Sequence, residues 1–310
     1  MAQYGKRQTI LIKTEATVGT DATPSGSDAL VVRNLEITPV SSDTVQRNLI
    51  RPYLGNSPVL LANTKVDVSF EVELVGSGTA GTAPRFGPAL LASGLAATTV
   101  ASTSVTYWPV SSSFSAATIY YFADGIKHAV TGARGSFSIG GKVGDIPTLK
   151  FQFTGQFNSP TDTAVGAVTY TNQADPLIFR QGNTSAFSIF GYSGALSSFD
   201  FDIANELVYR ELIGGTKETL ITDRKPAGTV VIEAPTIAIK DFFSLAIGST
   251  TGALSFLHGT TAGNKVTFTS STIDVTAPKY EDEAGILHLS IPFISVPTTA
   301  GNDEFSLAFT

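Results

Sequence analysis

The stretch Val66-Asp67-Val68-Ser69-Phe70-Glu71-Val72-Glu73-Leu74 is an unbroken alternation of apolar and polar side chains. Because successive side chains of a β-strand point to opposite faces, the apolar set of such a strand faces a core and the polar set faces water. The same alternation recurs around Phe137 and Ile139 and again at Val266 and Phe268. The pattern predicts a protein built from half-buried strands.

The composition of the chain is typical of a protein dominated by β-sheet. Hydrophobic residues make up 42% of its 310 residues, and 20 of them are phenylalanine, which favours strands. Charged residues make up 15%, which leaves much of the surface to uncharged Thr, Ser and Gly. The length favours two domains of about 150 residues.

Charge and cysteine content argue against several classes of function. The chain has no cysteine, which excludes disulfides and thiolate chemistry. Its net charge of −6 disfavours a protein that wraps a nucleic-acid backbone, because such binding needs clustered lysine and arginine. No stretch approaches the roughly 20 apolar residues of a membrane span. The N-terminus lacks the apolar core of a signal peptide, so we expect assembly in the host cytoplasm.

An internal repeat is the most informative feature, because four landmarks recur in the same order in the two halves. The first is an apolar-acidic-apolar strand, Leu35-Glu36-Ile37, which is matched by Phe199-Asp200-Phe201. The second is a set of Val, Arg, Leu and Ile with the same spacing in residues 45–50 and residues 208–213.

The other two landmarks are a helix and a late strand. Short helices that end in glycine are predicted within residues 84–94 and 239–248, because a terminal Gly enters the left-handed region without a steric penalty. Alternating strands are predicted at residues 149–153 and 287–291.

These landmarks predict two copies of one β-sandwich or barrel module, residues 1–160 and residues 161–310, each with one short α-helix. The turn-rich residues 158–162 form the predicted boundary. The second copy is shorter, chiefly because it lacks a counterpart of residues 95–117, which we interpret as a surface loop. The alternative is a single β domain of 310 residues.

Glycine-rich segments suggest phosphate binding, but neither one is complete. Residues 76–81 have G-x-G-x-x-G spacing, yet no acidic residue lies between Glu73 and Asp124 to hold a ribose. The segment Gly140-Gly141-Lys142 is followed by Val143, where a phosphate loop needs Ser or Thr. We interpret both as turns and predict no cofactor.

Candidate catalytic groups are similarly incomplete. His128, His258 and His288 are widely spaced and lack a metal-binding pattern, and no G-x-S-x-G motif occurs, so we predict no metal site and no catalytic residue. The acidic stripe Asp67, Glu71 and Glu73 and the run Glu281-Asp282-Glu283 could supply a glycosidase pair. Acidic residues along a strand face more often form a solvent-exposed surface. Trp108 and Tyr120-Tyr121-Phe122 could bind sugar, although a core or subunit contact suits them better.

The order of elements resembles the tail tube domain of long-tailed, siphovirus-like bacteriophages. That order is an alternating strand, a long connection, a strand, a short helix and a closing hairpin. Residues 8–24 and 30–39 look like the opening of such subunits. The likeness is strongest over residues 8–157 and extends through the repeat to residues 170–310.

The resemblance implies a non-enzymatic virion protein of the phage tail. In that family, six domains form a ring whose inner sheets join into one barrel, and the rings stack around a DNA channel. A duplicated subunit then implies a homotrimeric, pseudo-hexameric ring. The implied partners are further copies of the chain, the tape measure, terminator and distal tail proteins, and DNA that passes without specific binding; no membrane is involved.

The resemblance also assigns roles to residues of this chain. Carboxylates on strand faces are predicted to line a negatively charged channel: Glu36, Asp67, Glu71, Glu73, Asp200 and Asp202. A loop between two early strands is predicted to reach the neighbouring ring through Arg51, Pro52, Tyr53 and Leu54, and residues 214–219 are its lesser counterpart. Exposed apolar residues in such a loop are reasonable when a partner covers them.

Two other structural or binding functions remain open from the sequence. One is a hexameric tube subunit with a single tube domain and a decorating immunoglobulin-like domain. The other is a carbohydrate-binding adhesin or receptor-binding virion protein. Ring mass separates the first from a trimer, and glycan binding by a stable monomer would favour the second.

Overall fold

The computed structural model describes residues 3–310, and β-strands dominate it. Its elements in chain order are β1 Gln8–Thr14, a 3-10 turn Gly26–Asp28, β2 Ala29–Leu30, β3 Arg33–Gln46, β4 Val59–Glu73, α1 Gly87–Ala92, β5 Leu95–Val100, β6 Ser104–Pro109, β7 Ala117–Ala123, β8 Ile126–Lys142, β9 Thr148–Phe157, β10 Thr161–Asp162, β11 Thr184–Ile189, β12 Leu196–Asp202, β13 Asn205–Arg210, β14 Glu218–Arg224, β15 Ala227–Glu233, α2 Phe242–Ile247, β16 Thr251–His258, β17 Val266–Val275, β18 Lys279–Glu283, β19 Ile286–Ser295 and β20 Ser306–Phe309. The predicted class, mainly β with one short helix in each half, is confirmed.

An eight-stranded antiparallel sheet forms the centre of the fold, in the order β3-β4-β9-β8-β12-β15-β19-β18. Four of its strands come from each half of the chain. Phe70, Phe151 and Phe137 are cross-strand neighbours on its buried face. Because side chains alternate along each strand, the residues between them form a polar opposite face.

A second layer of strands covers the buried face. In the first half, β8 continues past the central sheet and pairs with β7, which pairs with β1. In the second half, β17 pairs with β16, which pairs with β11. Phe256 and Phe268 from this layer lie with ring centroids 4.7 and 4.9 Å from that of Phe199 on β12. Two sheets that interdigitate side chains in this way form a sandwich.

Strand pairings recur in the same sequence order in the two halves. The first half pairs β3 with β4 and β4 with β9, and the second half pairs β12 with β15 and β15 with β19. The helices α1 and α2 follow β4 and β15. The long strand β8 corresponds to β17 and β18 together, which are separated by a short break that contains Pro278. The division into equivalent modules at residue 160 stays a prediction.

The two halves share one hydrophobic core. A single cluster of buried side chains includes Phe70 and Phe151 from the first half and Phe199 and Phe268 from the second. Phe305, just before β20, links them: its ring centroid lies 6.2 Å from that of Phe137 in one half and 4.8 Å from that of Phe201 in the other. The final strand, β20, pairs with β17 and also with β6.

Local turn chemistry matches the sequence at two places and differs at a third. Asp124 and Gly125 both have positive φ, as a tight hairpin turn between β7 and β8 requires. Gly94, after α1, has φ +84° and is the predicted left-handed helix stop. Gly248, after α2, instead stays right-handed at φ −82°, and Ser249 takes the positive φ.

Residues 95–117 are not the simple surface loop that their composition suggested. Most of them form the hairpin of β5 and β6, and β6 pairs with β20 from the opposite end of the chain. A Ser/Thr/Ala-rich segment here acquires strand structure because a distant strand supplies its partner. No helix among the described residues has the length and apolarity to cross a membrane.

Candidate assembly surfaces

The polar face of the central sheet brings together all the carboxylates that the sequence assigned to a channel wall. They are Glu36, Asp67, Glu71, Glu73, Asp200 and Asp202. Glu73 and Asp200 lie in one row of cross-strand neighbours, and Glu71 and Asp202 lie in the next row. Residues from both halves of the chain therefore contribute to one continuous acidic face, and whether this face lines a channel stays a prediction.

Neighbouring side chains modulate the charge of this face. Lys150 lies directly opposite Glu71, and Thr154 donates a hydrogen bond of 2.6 Å to Asp67. Desolvation by the adjacent strands raises the pKa of Asp200 above its ordinary value. Ionisation of Asp200 is therefore less favourable in the folded chain than in the unfolded chain, because folding removes water from its carboxylate.

The central sheet has two free edges. Within residues 3–310, β3 pairs with β4 alone, and β18 pairs with β19 alone. Each edge presents backbone N–H and C=O groups without a partner strand. Such edges template pairing with another chain, and proteins that do not use them protect or cover them.

The junction between β8 and β12 shows how two edges of this kind pair within one chain. Ser198 to Asp202 run antiparallel to Ser138 to Lys142, with Phe201 opposite Ile139. β8 is the outer strand of the four contributed by the first half, and β12 is the outer strand of the four contributed by the second. Without this pairing each half would present two free edges instead of one.

The hairpin of β3 and β4 extends far beyond the rest of its half. Its tip holds the predicted stacking residues Arg51, Pro52, Tyr53 and Leu54. Leu54 and Ile50 are fully exposed, and Tyr53 is 65% exposed. Exposed apolar side chains grouped on a protruding loop indicate a surface that another molecule covers. The contact itself stays a prediction.

The second hairpin, β13 and β14, is folded back onto the first half of the chain. The buried guanidinium of Arg134 on β8 donates to the carbonyl oxygens of Thr219, at 2.8 Å, and Phe114, at 3.0 Å. Thr219 donates from its hydroxyl to the carbonyl of Thr154 at 2.9 Å, and Gln156 donates to the carbonyl of Lys217. Desolvation lowers the pKa of Arg134. This side chain stabilises the hairpin against the neighbouring sheet.

A family model described as phage tail tube protein matches residues 5–300. The chain belongs to the phage tail tube protein family. It is therefore a structural component of the phage virion tail, and its family implies self-assembly and contact with other tail proteins. No curated protein sequence matches the chain.

Several of the remaining candidate residues of this tail tube family member lie on strands outside the central sheet. Tyr120 and Phe122 are buried on β7, and Trp108 is 40% exposed on β6. His258 is also buried, where desolvation lowers its pKa. Within residues 3–310, no group of three or more His, Cys, Asp or Glu is arranged to hold a metal ion.

Sequence reasoning missed two features of this tail tube family member. It did not identify β18 as a free edge, because Glu281-Asp282-Glu283 looked like a solvated charge cluster. It also did not predict that residues 218–224 dock on the first half. The repeat could have indicated both features. β18 corresponds to the second part of β8, and the second hairpin corresponds to the outer part of β3 and β4.

Replacing Arg134 by Met should loosen the second hairpin. The change leaves buried carbonyl oxygens without a donor, and we expect a loss of about 2–3 kcal/mol in the free energy of unfolding. Urea unfolding measures the loss, and faster trypsin cleavage at Arg210 or Lys217 locates it. The matched control is Arg7→Met, whose side chain is 70% exposed and should cost under about 0.5 kcal/mol. Equal effects from both variants would contradict this role of Arg134.

Proposed function

We propose that three copies of the chain close into a pseudo-hexameric ring and that such rings stack into a tube that conducts DNA. One observation carries this proposal. The edge strands β8 and β12 of the two halves pair within the chain, while the edge strands β3 and β18 have no partner on their outer side in the described part of the chain. A chain with β3 open at one border and β18 open at the other can repeat the β8 to β12 pairing with its neighbours. Closing the ring removes both free edges of the central sheet.

Two equivalent modules in each chain explain the choice of three copies. Support comes from the recurring strand pairings, in which β1 with β7 matches β11 with β16, and β3-β4-β9 matches β12-β15-β19. We assign the modules to residues 1–160 and 161–310. Since the resemblance to tail tube domains implies six modules in a ring, two modules in each chain require three chains.

The acidic face of the sheet is proposed to line the channel. The opposite face is covered by the second layer, so the polar face is the one available to a lumen. Carboxylates on the wall repel the phosphates of DNA, which lets DNA pass without binding. The tip of the first hairpin, Arg51 to Leu54, is proposed to contact the next ring, while tape measure, terminator and distal tail proteins meet the tube inside or at its ends.

Electron microscopy and native mass spectrometry of the purified protein test this proposal. We expect rings with a mass three times the 32.4 kDa of the chain, and stacks of such rings. A ring with six times that mass would favour the hexameric subunit with a decorating domain. A stable monomer at high concentration that binds glycans would favour the adhesin instead.

A further inference from the structure

A groove of about 660 Å³ lies on the second half of the chain, at the end of the central sheet. Its wall has an apolar part, which includes Phe114, Pro226, Ile294 and Pro297, and a polar part, which includes Asp223, Arg224, Lys225 and Glu304. Ile294 is 42% exposed although it pairs with Ala227 on β15 and with Asp274 on β17. The groove thus has an open apolar part and is bordered by Ser111 and Phe114 of the first half.

Unpartnered acceptors accompany this groove. Glu304 is 5% exposed, and its Oε1 accepts a hydrogen bond of 2.9 Å from Arg224. Among the described residues, no hydrogen-bond partner reaches Oε2 of Glu304 or Oδ1 of Asp274, although both atoms are buried. Buried acceptors without donors are rare in folded proteins, and of these two only Glu304 lines the groove, so its Oε2 is where a donor from outside the chain could bind.

The groove occupies the same place in the second half as the docking site of β13 and β14 occupies in the first half. Buried residues at 149, 151 and 153 of β9 correspond to those at 289, 291 and 293 of β19. This alignment places Ile294 where Thr154 lies. Asp274, which pairs with Ile294, then matches Arg134, which pairs with Thr154. In the first half, the second hairpin docks on Arg134 and Thr154. In the second half, Ile294 is left 42% exposed.

The first hairpin has the matching segment. We define the arm as residues 44–62, the outer part of β3 and β4. Val45 lies opposite Leu60 there, as Val208 lies opposite Leu220 in the second hairpin. Thr219, which docks on the first half, therefore corresponds to Val59, which is 50% exposed.

The chemistry of the arm complements the groove. The charged residues of the arm are Arg47 and Arg51, both of them donors, and it has no acidic residue. Its exposed apolar side chains outside the tip suit the apolar part of the wall, and they are Val45, Leu49, Ile50, Val59, Leu60 and Leu61. Backbone N–H groups or these arginines can reach buried carboxylate oxygens that lack a donor.

We infer that the arm of one chain binds the groove of the adjacent chain in the same ring, with Val59 against Ile294. The arm leaves its own half at the free edge β3, and the groove belongs to the half that ends in the free edge β18. When β3 pairs with β18 of a neighbouring chain, the arm therefore lies over the groove of that chain. The pairing of β12 with β8 places β13 and β14 over the first half in the same way. This inference rests on the proposed ring.

Disulfide trapping tests the contact directly, because the natural chain has no cysteine. Val59→Cys combined with Ile294→Cys should give covalent dimers and trimers when isolated rings are mildly oxidised. The pair Thr219→Cys and Thr154→Cys is the positive control, which should link within one chain and leave its mass unchanged. Val59→Cys with Ile247→Cys, on the exposed end of α2, should link poorly.

The possible results of this experiment distinguish a failure of the arm contact from a failure of the proposed ring. Rings that form normally but give no Val59 to Ile294 crosslink overturn the arm contact and leave the ring intact. Crosslinks that appear in stacked tubes and are absent from single rings assign the groove to the arm of the next ring and overturn the assignment within a ring. A chain that stays monomeric and uncrosslinked overturns both.

Discussion

Proline at Tyr280 or Glu281 is expected to abolish ring assembly, which is the largest functional effect predicted for a single substitution in this chain. Both residues lie in β18, which pairs on one side with β19 and is open on the other. Neighbouring N–H groups of a strand point in opposite directions. One of the two substitutions therefore removes a donor from the open edge, and the other removes a donor from the β18 to β19 pairing.

The two variants should differ in stability but not in assembly. The variant whose lost N–H faces the open edge should unfold in urea like the natural chain and yet give no rings in the electron microscope. The other should also lose stability, because its own hairpin is damaged. Glu281→Ala, which keeps the backbone donor, is the matched control and should assemble normally. Rings formed by both proline variants would show that β18 is not an assembly edge.

Much of the fold could be predicted from local pattern, because strand alternation and turn residues act over a few positions. The alternation at Val66 to Leu74 correctly indicated β4, and Asp124-Gly125 correctly indicated a tight hairpin. The helices after β4 and β15 were also found, since each carries an apolar run ending near glycine. These signals fixed the class of the fold and the approximate place of its elements.

Long-range pairing could not be predicted in the same way. Gly140 and Gly141 looked like turn residues, yet they lie in β8 opposite Asp200 and Phe199. Nothing local in β6 indicates that its partner is β20 at the far end of the chain. The six carboxylates could be placed on strand faces from their period, but their meeting on one face depends on the pairing of β8 with β12.

Phe199→Ala is expected to be the most destabilising of the substitutions considered, with a loss of about 3–5 kcal/mol in the free energy of unfolding. Phe199 is 1% exposed and lies on β12, the strand that joins the two halves. Its ring centroid is 4.7 Å from that of Phe256 and 4.9 Å from that of Phe268, so truncation removes aromatic contacts and leaves a cavity.

Because of the position of Phe199, the substitution Phe199→Ala should impair assembly as well as stability. It lies between Gly141 on β8 and Val230 on β15, so a cavity there weakens the junction that neighbouring chains are proposed to copy. Urea unfolding measures the loss, and Phe157→Ala, at a residue 36% exposed, is the control expected to cost under about 1 kcal/mol. Because the two halves share one core, we expect a single unfolding transition that shifts as a whole. Two separate transitions, with one left unchanged by Phe199→Ala, would mean that the halves are stabilised independently.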